Sequence, residues 1–324
     1  MNKRQLGCSD LELTVIGLGT WAIGGAGWEF SWGPQDENEA IAGVLAALDQ
    51  GINWIDTAAV YGLGRSEELV GKALKQAGEK PFVATKCGLI WDKNRQIHRS
   101  LEKQSIHREC EASLNRLGVD VIDLYQIHWP QPDEHIEQAW EEMAKLTEEG
   151  KVRCLGVSNF TVEQIERVRK IHPVASLQPP YSMLHREVED KLLAYCAENN
   201  IAVIAYSPMQ RGLLTGKFTR QRLAALDPED QRLTSPDFQE PRFSATLELV
   251  DSLRKIADRN NRTLAQLAIA WVLRRTDVTA AIVGARRPDQ IKETAAAAEF
   301  KLATEDVEEI ETLLAGRLER IKTG

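Results

Sequence analysis

Four residues carry side chains that together could perform proton chemistry: Asp56, Tyr61, Lys86 and His128. Asp56 and Tyr61 stand five positions apart in "WIDTAAVYGLG" (54–64), where an apolar run gives way to a polar, glycine-punctuated turn. Lys86 ends "FVATK" and His128 ends "VIDLYQIH", two further apolar runs. A free tyrosine, with a pKa of about 10, is a poor proton donor at neutral pH. A lysine ammonium beside it favours the phenolate and lowers that value, each unit being worth about 1.4 kcal/mol. Asp56 next to Lys86 keeps the ammonium charged and oriented, and His128 can donate a hydrogen bond to a substrate oxygen. Such a group gives a proton to a carbonyl oxygen as its carbon accepts a hydride. Singly, each residue also reads as structure: a turn cap, a rim aromatic, a snorkelling lysine, a satisfied histidine. Their coincidence at three consecutive strand ends favours the chemical reading.

Those strand ends belong to a regular alternation. Candidate strands are "TVIGLG" (14–19), "NWIDT" (53–57), "FVATK" (82–86), "VIDLYQIH" (121–128), "CLGVSN" (154–159), "SLQPPY" (176–181), "AVIAYS" (202–207) and "AAIVG" (280–284). Between them run helical stripes: Ile41, Val44, Leu45 and Leu48; Ile106, Cys110, Leu114 and Leu117; Val188, Leu192 and Cys196; Leu264, Leu267, Ala268, Trp271 and Val272. Eight strands alternating with helices predict a (β/α)₈ TIM barrel filling residues 1–324 as one domain, whose active site sits at the C-terminal strand ends. "KRQLGCSDLEL" reads as a β-hairpin capping the barrel bottom. Two long connections, 87–103 and 208–244, are expected at the mouth.

With 43% hydrophobic and 27% charged residues the chain has the composition of an ordinary globular protein. Its net charge of −8 argues against nucleic acid as a partner. The N-terminus lacks an apolar signal core, and the longest apolar runs fall well short of the ~20 residues that span a bilayer. Cys8, Cys87, Cys110, Cys154 and Cys196 are odd in number and show no CxxC pair, as expected of reduced thiols in the cytoplasm. The six histidines show no metal-ligand spacing.

Over nearly its whole length the sequence resembles the aldo-keto reductase superfamily, in its bacterial and potassium-channel-subunit-like branch. The likeness runs through "LTVIGLGTW", "NWIDTAAVYGLGRSEELVGKAL", "DLYQIHWP" and "IVGARRPDQI". It implies that Asp56, Tyr61, Lys86 and His128 form the catalytic tetrad, with Tyr61 as general acid. No G-x-G-x-x-G follows a strand, so a Rossmann site is not supported. The resemblance instead implies a dinucleotide extended across the barrel mouth. It would be held by Gly19, Thr20, Trp21 and Asp56, by Ser158 and Asn159 of "GVSNF", and by Gln178 of "QPPY". Tyr206 of "AYSPM" would stack on the nicotinamide, with Ser207 and Pro208 beside it. Backbone amides of "RGLLTGK", at Gly212 and Leu213, together with Lys217 would clasp the pyrophosphate. Gly284, Arg286, Gln290 and Glu293 of "GARRPDQIKE" would hold the far end. Arg286 and Arg287 follow a strand and open a helix, a natural anion site suited to the 2′-phosphate of NADPH. Thr294 stands where many relatives carry an Asn facing the adenine.

Trp21, Trp91 and Trp129 follow strands at the mouth and suggest an aromatic pocket for a small carbonyl substrate, with Trp28 and Trp32 adding to it or closing over it. Two other functions compete. A Schiff-base lyase would use Lys86 as a neutral nucleophile, which Asp56 disfavours, and borohydride would trap it. An NADPH-sensing, partner-binding subunit would turn over slowly while binding NADPH tightly.

Overall fold

Parallel strands need crossover connections, and helices supply them throughout the computed structural model, which describes residues 1–323. The strands are β1 (Lys3–Gln5), β2 (Glu12–Thr14), β3 (Ile16–Gly19), β4 (Trp54–Asp56), β5 (Phe82–Cys87), β6 (Leu89–Trp91), β7 (Ile97–Arg99), β8 (Ile122–Ile127), β9 (Val152–Ser158), β10 (Ser176–Gln178), β11 (Ala202–Tyr206) and β12 (Ala280–Gly284). The helices are α1 (Glu37–Asp49), α2 (Arg65–Leu74), α3 (Lys103–Leu117), α4 (Ile136–Glu148), α5 (Val162–Val168), α6 (Leu192–Glu198), α7 (Arg220–Ala224), α8 (Arg242–Arg259), α9 (Leu264–Leu273), α10 (Pro288–Ala295) and α11 (Thr304–Thr323). Eight parallel strands close in the order β10-β11-β12-β3-β4-β5-β8-β9, the expected (β/α)₈ barrel. No described helix is long and apolar enough to cross a membrane.

β1 and β2 pair antiparallel, and Leu6, Leu11 and Leu13 of this hairpin pack on Trp54, Ala84, Leu124 and Ile204 at the barrel bottom. Trp54 fits because residue 17 is glycine: a Cβ there would lie 2.1 Å from the indole. Local signals agree with the helices. α5 and α9 each open on a capping box, Thr161 with Gln164 and Thr263 with Gln266, and α3 stops at the left-handed Gly118.

Several elements depart from the sequence expectation for identifiable reasons. β10 ends at Gln178, since Pro179 and Pro180 cannot donate to a ladder. The Val188 stripe is split: Val188 sits in a 3₁₀ turn and the helix begins at Leu192. α1 buries mainly Ala40, Gly43, Val44, Ala46 and Ala47, small residues that admit close helix packing, while Ile41, Leu45 and Leu48 are half-buried. The 87–103 connection contains the hairpin β6–β7.

That hairpin is tethered by a buried acid. The Gly88 N–H donates to Glu109 Oε2 and the Ser105 hydroxyl to Oε1, each at 2.9 Å. Burial pushes the Glu109 carboxyl up to about 7. An acid raised in the folded state contributes stability that is complete below its unfolded pKa and is lost as pH rises through the folded value. Wild type should therefore lose up to about 3 kcal/mol relative to Glu109→Gln between pH 4.5 and 7. Denaturant unfolding of both proteins at pH 5 and pH 8 checks this, and parallel pH dependences would contradict it.

Candidate active site

Because β4, β5 and β8 are hydrogen-bonded neighbours, residues at their C-terminal ends share one corner of the mouth. Asp56 ends β4, Lys86 is the penultimate residue of β5, and His128 follows β8 directly. The Lys86 ammonium uses all three donors. It reaches Asp56 Oδ2 at 2.7 Å, the Thr57 carbonyl at 2.9 Å and Tyr61 Oη at 3.3 Å. Asp56 Oδ1 accepts from Gln178 Nε2 at 2.8 Å and, more weakly, from Gln126 Nε2 at 3.4 Å. Asp56 and Lys86 are thus a fully buried, fully bonded ion pair, the condition under which such a pair is tolerated.

Tyr61 arrives from the turn after β4. Gly62 has φ +63° and sits so close to the Gly24 backbone that a Cβ would lie 2.1 Å from its carbonyl oxygen. Only glycine permits that approach, which seats the phenol beneath the first loop. The His128 ring stands edge-on to Tyr61, centroids 5.7 Å apart, and the Trp21 ring stacks on the phenol at 6.1 Å and 16°.

The electrostatics correct one sequence expectation. Burial, reinforced by the Asp56 charge, pushes the Tyr61 phenol well above its ordinary pKa, so the expected net lowering by Lys86 does not hold in this cleft. Desolvation is a tertiary quantity, and here it outweighs the ammonium. Burial also lowers Lys86, against the pull of Asp56. His128 is pushed well below its usual value by burial and by the Lys86 charge, so its imidazole is neutral. The site therefore combines a protonated phenol, a neutral imidazole and a paired ammonium.

From this corner a cleft of about 620 Å³ crosses the mouth to the turn between β12 and α10. Gly19, Thr20, Trp21, Ser158, Asn159, Gln178, Tyr206, Ser207, Pro208, Gly212, Lys217, Gly284, Arg286, Gln290 and Glu293 line it, as do Arg287 and Thr294. Leu213 does not. Its side chain is buried with Phe218, Phe238 and Phe243 beneath the 208–244 connection. Trp28, Phe30, Trp32 and Trp129 complete an aromatic wall, but Trp91 is elsewhere. It sits in β6 with the Arg116 guanidinium 5.8 Å over its ring, so the hairpin turns it away from the substrate space.

The family profile for the aldo/keto reductases matches residues 15–315. The chain belongs to the aldo/keto reductase family. It is 42% identical over 317 residues to the aldo-keto reductase YhdN of Bacillus subtilis, covering 97% of this chain and 94% of that protein. The NADH-specific methylglyoxal reductase of Escherichia coli is 36% identical, with 94% and 96% covered. Among solved structures, the glycerol dehydrogenase AKR11B4 from Gluconobacter oxydans superposes with a TM-score of 0.88 at 40% identity, covering 98% of this chain and 95% of that one. This aldo/keto reductase is accordingly an oxidoreductase of a nicotinamide-dependent family.

The cleft's chemistry fits an extended nicotinamide dinucleotide. Near the tetrad, Ser158, Asn159 and Gln178 could hold a carboxamide. Tyr206 stands beside them, its hydroxyl donating to Asn159 Oδ1 at 3.0 Å. Gly284 leaves open space: a Cβ there would meet nothing nearer than 3.9 Å and would enter the cleft. At the far end this aldo/keto reductase gathers Lys217, Arg222, Arg232, Arg286 and Arg287. Lys217 bridges to Glu293 at 2.9 Å, and the Arg286 N–H donates to Gln290 Oε1 at 2.7 Å. Four polar residues were given no role in the sequence reading. Gln126 was detectable, being a polar residue at an inward position of β8, two before His128. Arg222 and Arg232 had no local signal, since the folding of the long connection alone brings them to the cleft, and Arg211 lies in the quoted "RGLLTGK" but was given no role of its own.

Proposed function

We propose that this enzyme reduces small aldehydes and ketones to alcohols with NADPH, using Tyr61 as the proton donor. One observation carries the reading: Tyr61 Oη lies 3.3 Å from Lys86 Nζ, with the His128 ring edge-on, facing the cleft that carries the dinucleotide donor set. NADPH, when bound, supplies the hydride. The neutral His128 imidazole donates to the carbonyl oxygen and keeps it near the phenol. Tyr61 gives its proton to that oxygen, and Lys86 stabilises the phenolate left behind. Asp56 keeps Lys86 charged, while Gln178 and Gln126 hold Asp56 in place. Trp21, Trp28 and Trp32 shield the reacting corner from water. The same chemistry run backwards oxidises an alcohol, with the phenolate as base.

Preference for NADPH over NADH rests on the five cations at the far end of the cleft, two of them arginines just before α10, where a 2′-phosphate meets concentrated positive charge. The Escherichia coli relative is named as NADH-specific, so the preference needs measurement in this chain. Methylglyoxal, glyceraldehyde and propanal with each cofactor, from pH 6 to pH 9, are the test. NADPH should exceed NADH at least tenfold in kcat/KM. The profile should be flat, because His128 is already neutral and Tyr61 still protonated across that range. An equal or better rate with NADH, or an inflection near the ordinary histidine value, would contradict this reading.

A further inference from the structure

Cations in the cleft are almost all engaged. Lys217 pairs with Glu293, Arg232 with Asp230 and Arg287 with Asp289. Arg286 donates to Gln35 and to the Trp32 and Pro34 carbonyls, and Arg222 to the Lys217 carbonyl. Arg211 differs. Among the described residues it makes no hydrogen bond and no ion pair, and its guanidinium lies 5.7 Å over the Trp21 ring. Asp237, a carboxylate that attracts it, is already committed to His185 Nε2 at 2.8 Å and Gln210 Nε2 at 2.7 Å. A half-buried guanidinium with five unused donors is an anion receptor waiting for an anion.

The backbone is built to hold it there. Gln210 and Arg211 have φ of 46° and 52°, left-handed values that non-glycine residues rarely adopt. The turn is pinned by the Gln210 side chain, bonded to Asp237 and accepting from the Ser182 hydroxyl at 3.0 Å. This strained pair aims Arg211 into the cleft, and Trp21, the ring it covers, itself stacks on Tyr61. Arg211 therefore belongs to the reacting end, whereas Lys217, Arg286 and Arg287 gather around the turn that opens α10.

We propose that Arg211 binds an anionic group on the substrate, a carboxylate or a phosphate carried by a small aldehyde or ketone, and so sets the specificity of this reductase. The inference rests on the carbonyl-reductase reading above. The fork of the guanidinium matches either anion bidentately, and the aromatic wall keeps the pair out of bulk water. Because the same fork could meet a cofactor phosphate, cofactor affinity belongs in the test.

The experiment compares wild type, Arg211→Met and Arg211→Lys. Substrates are 4-oxobutanoate against butanal, and glyceraldehyde 3-phosphate against glyceraldehyde. Binding of succinamate against butanamide to the NADP⁺ complex is measured by calorimetry, and NADPH affinity by fluorescence. Wild type should prefer the anionic member of at least one pair, the pair telling carboxylate from phosphate. Arg211→Met should cut that preference about 10- to 100-fold, mostly through KM, as expected for a lost charged hydrogen bond, and Arg211→Lys should restore part of it. An unchanged ratio in Arg211→Met, or an equal loss of NADPH affinity, overturns the proposal. Neutral aldehydes reduced without any anion preference would sink this inference and spare the reductase. Succinamate bound through Arg211 by a protein that reduces no carbonyl would do the reverse.

Discussion

Tyr61→Phe should bind NADPH as wild type does and yet reduce carbonyls about 10²- to 10⁴-fold more slowly, the range expected for removing a general acid. The substitution deletes one hydroxyl. Packing survives, because the ring keeps its contacts with Trp21 and His128. Lys86 keeps two of its three acceptors, Asp56 Oδ2 and the Thr57 carbonyl. Fluorescence titration with NADPH and steady-state kinetics separate the two effects. Loss confined to KM would mean that the phenol only binds substrate.

Lys86→Met should have the second large effect, and it has two parts. Removing the ammonium leaves the Asp56 carboxylate buried with only the Gln178 and Gln126 amides for company. Breaking a buried pair on one side typically costs about 3–5 kcal/mol. The phenolate also loses the cation beside it, so kcat should fall by about 10²-fold or more even at temperatures where the protein stays folded. The double variant Asp56→Asn with Lys86→Met tells the parts apart. It removes both charges, so most of the stability should return while the activity does not. Thermal unfolding and kinetics on the three proteins check this. Recovery of activity along with stability would make Lys86 a structural residue.

The barrel was legible because two periodicities alternate from end to end, and because a strand's last residues must face the mouth. That rule alone found Asp56, Lys86 and His128. Tyr61 was found by its distance from Asp56, but the direction of its pKa shift was misjudged: a charged partner can be expected from residue types, whereas desolvation depends on the loop that Gly62 lets settle over the ring. Trp91 misled because a hairpin in the 87–103 connection reverses the chain and hands the indole to Arg116. The Leu213 side chain carried no alternation by which to foresee its burial, and packing against three phenylalanines leaves its backbone amide as the part available to the expected clasp. Gln126 is the instructive omission, since its inward position on β8 follows from the same alternation that gave His128.

The central claim is that Tyr61 protonates a carbonyl oxygen as the carbon receives hydride from NADPH. Its most direct test is a single turnover of wild type and Tyr61→Phe with NADPH deuterated at the transferring position of C4, followed by mass analysis of the product. Wild type should yield an alcohol with one deuterium on the former carbonyl carbon, and Tyr61→Phe should form the same product at least a hundredfold more slowly. An alcohol without deuterium, no alcohol at all, or equal rates for the two proteins would contradict the account.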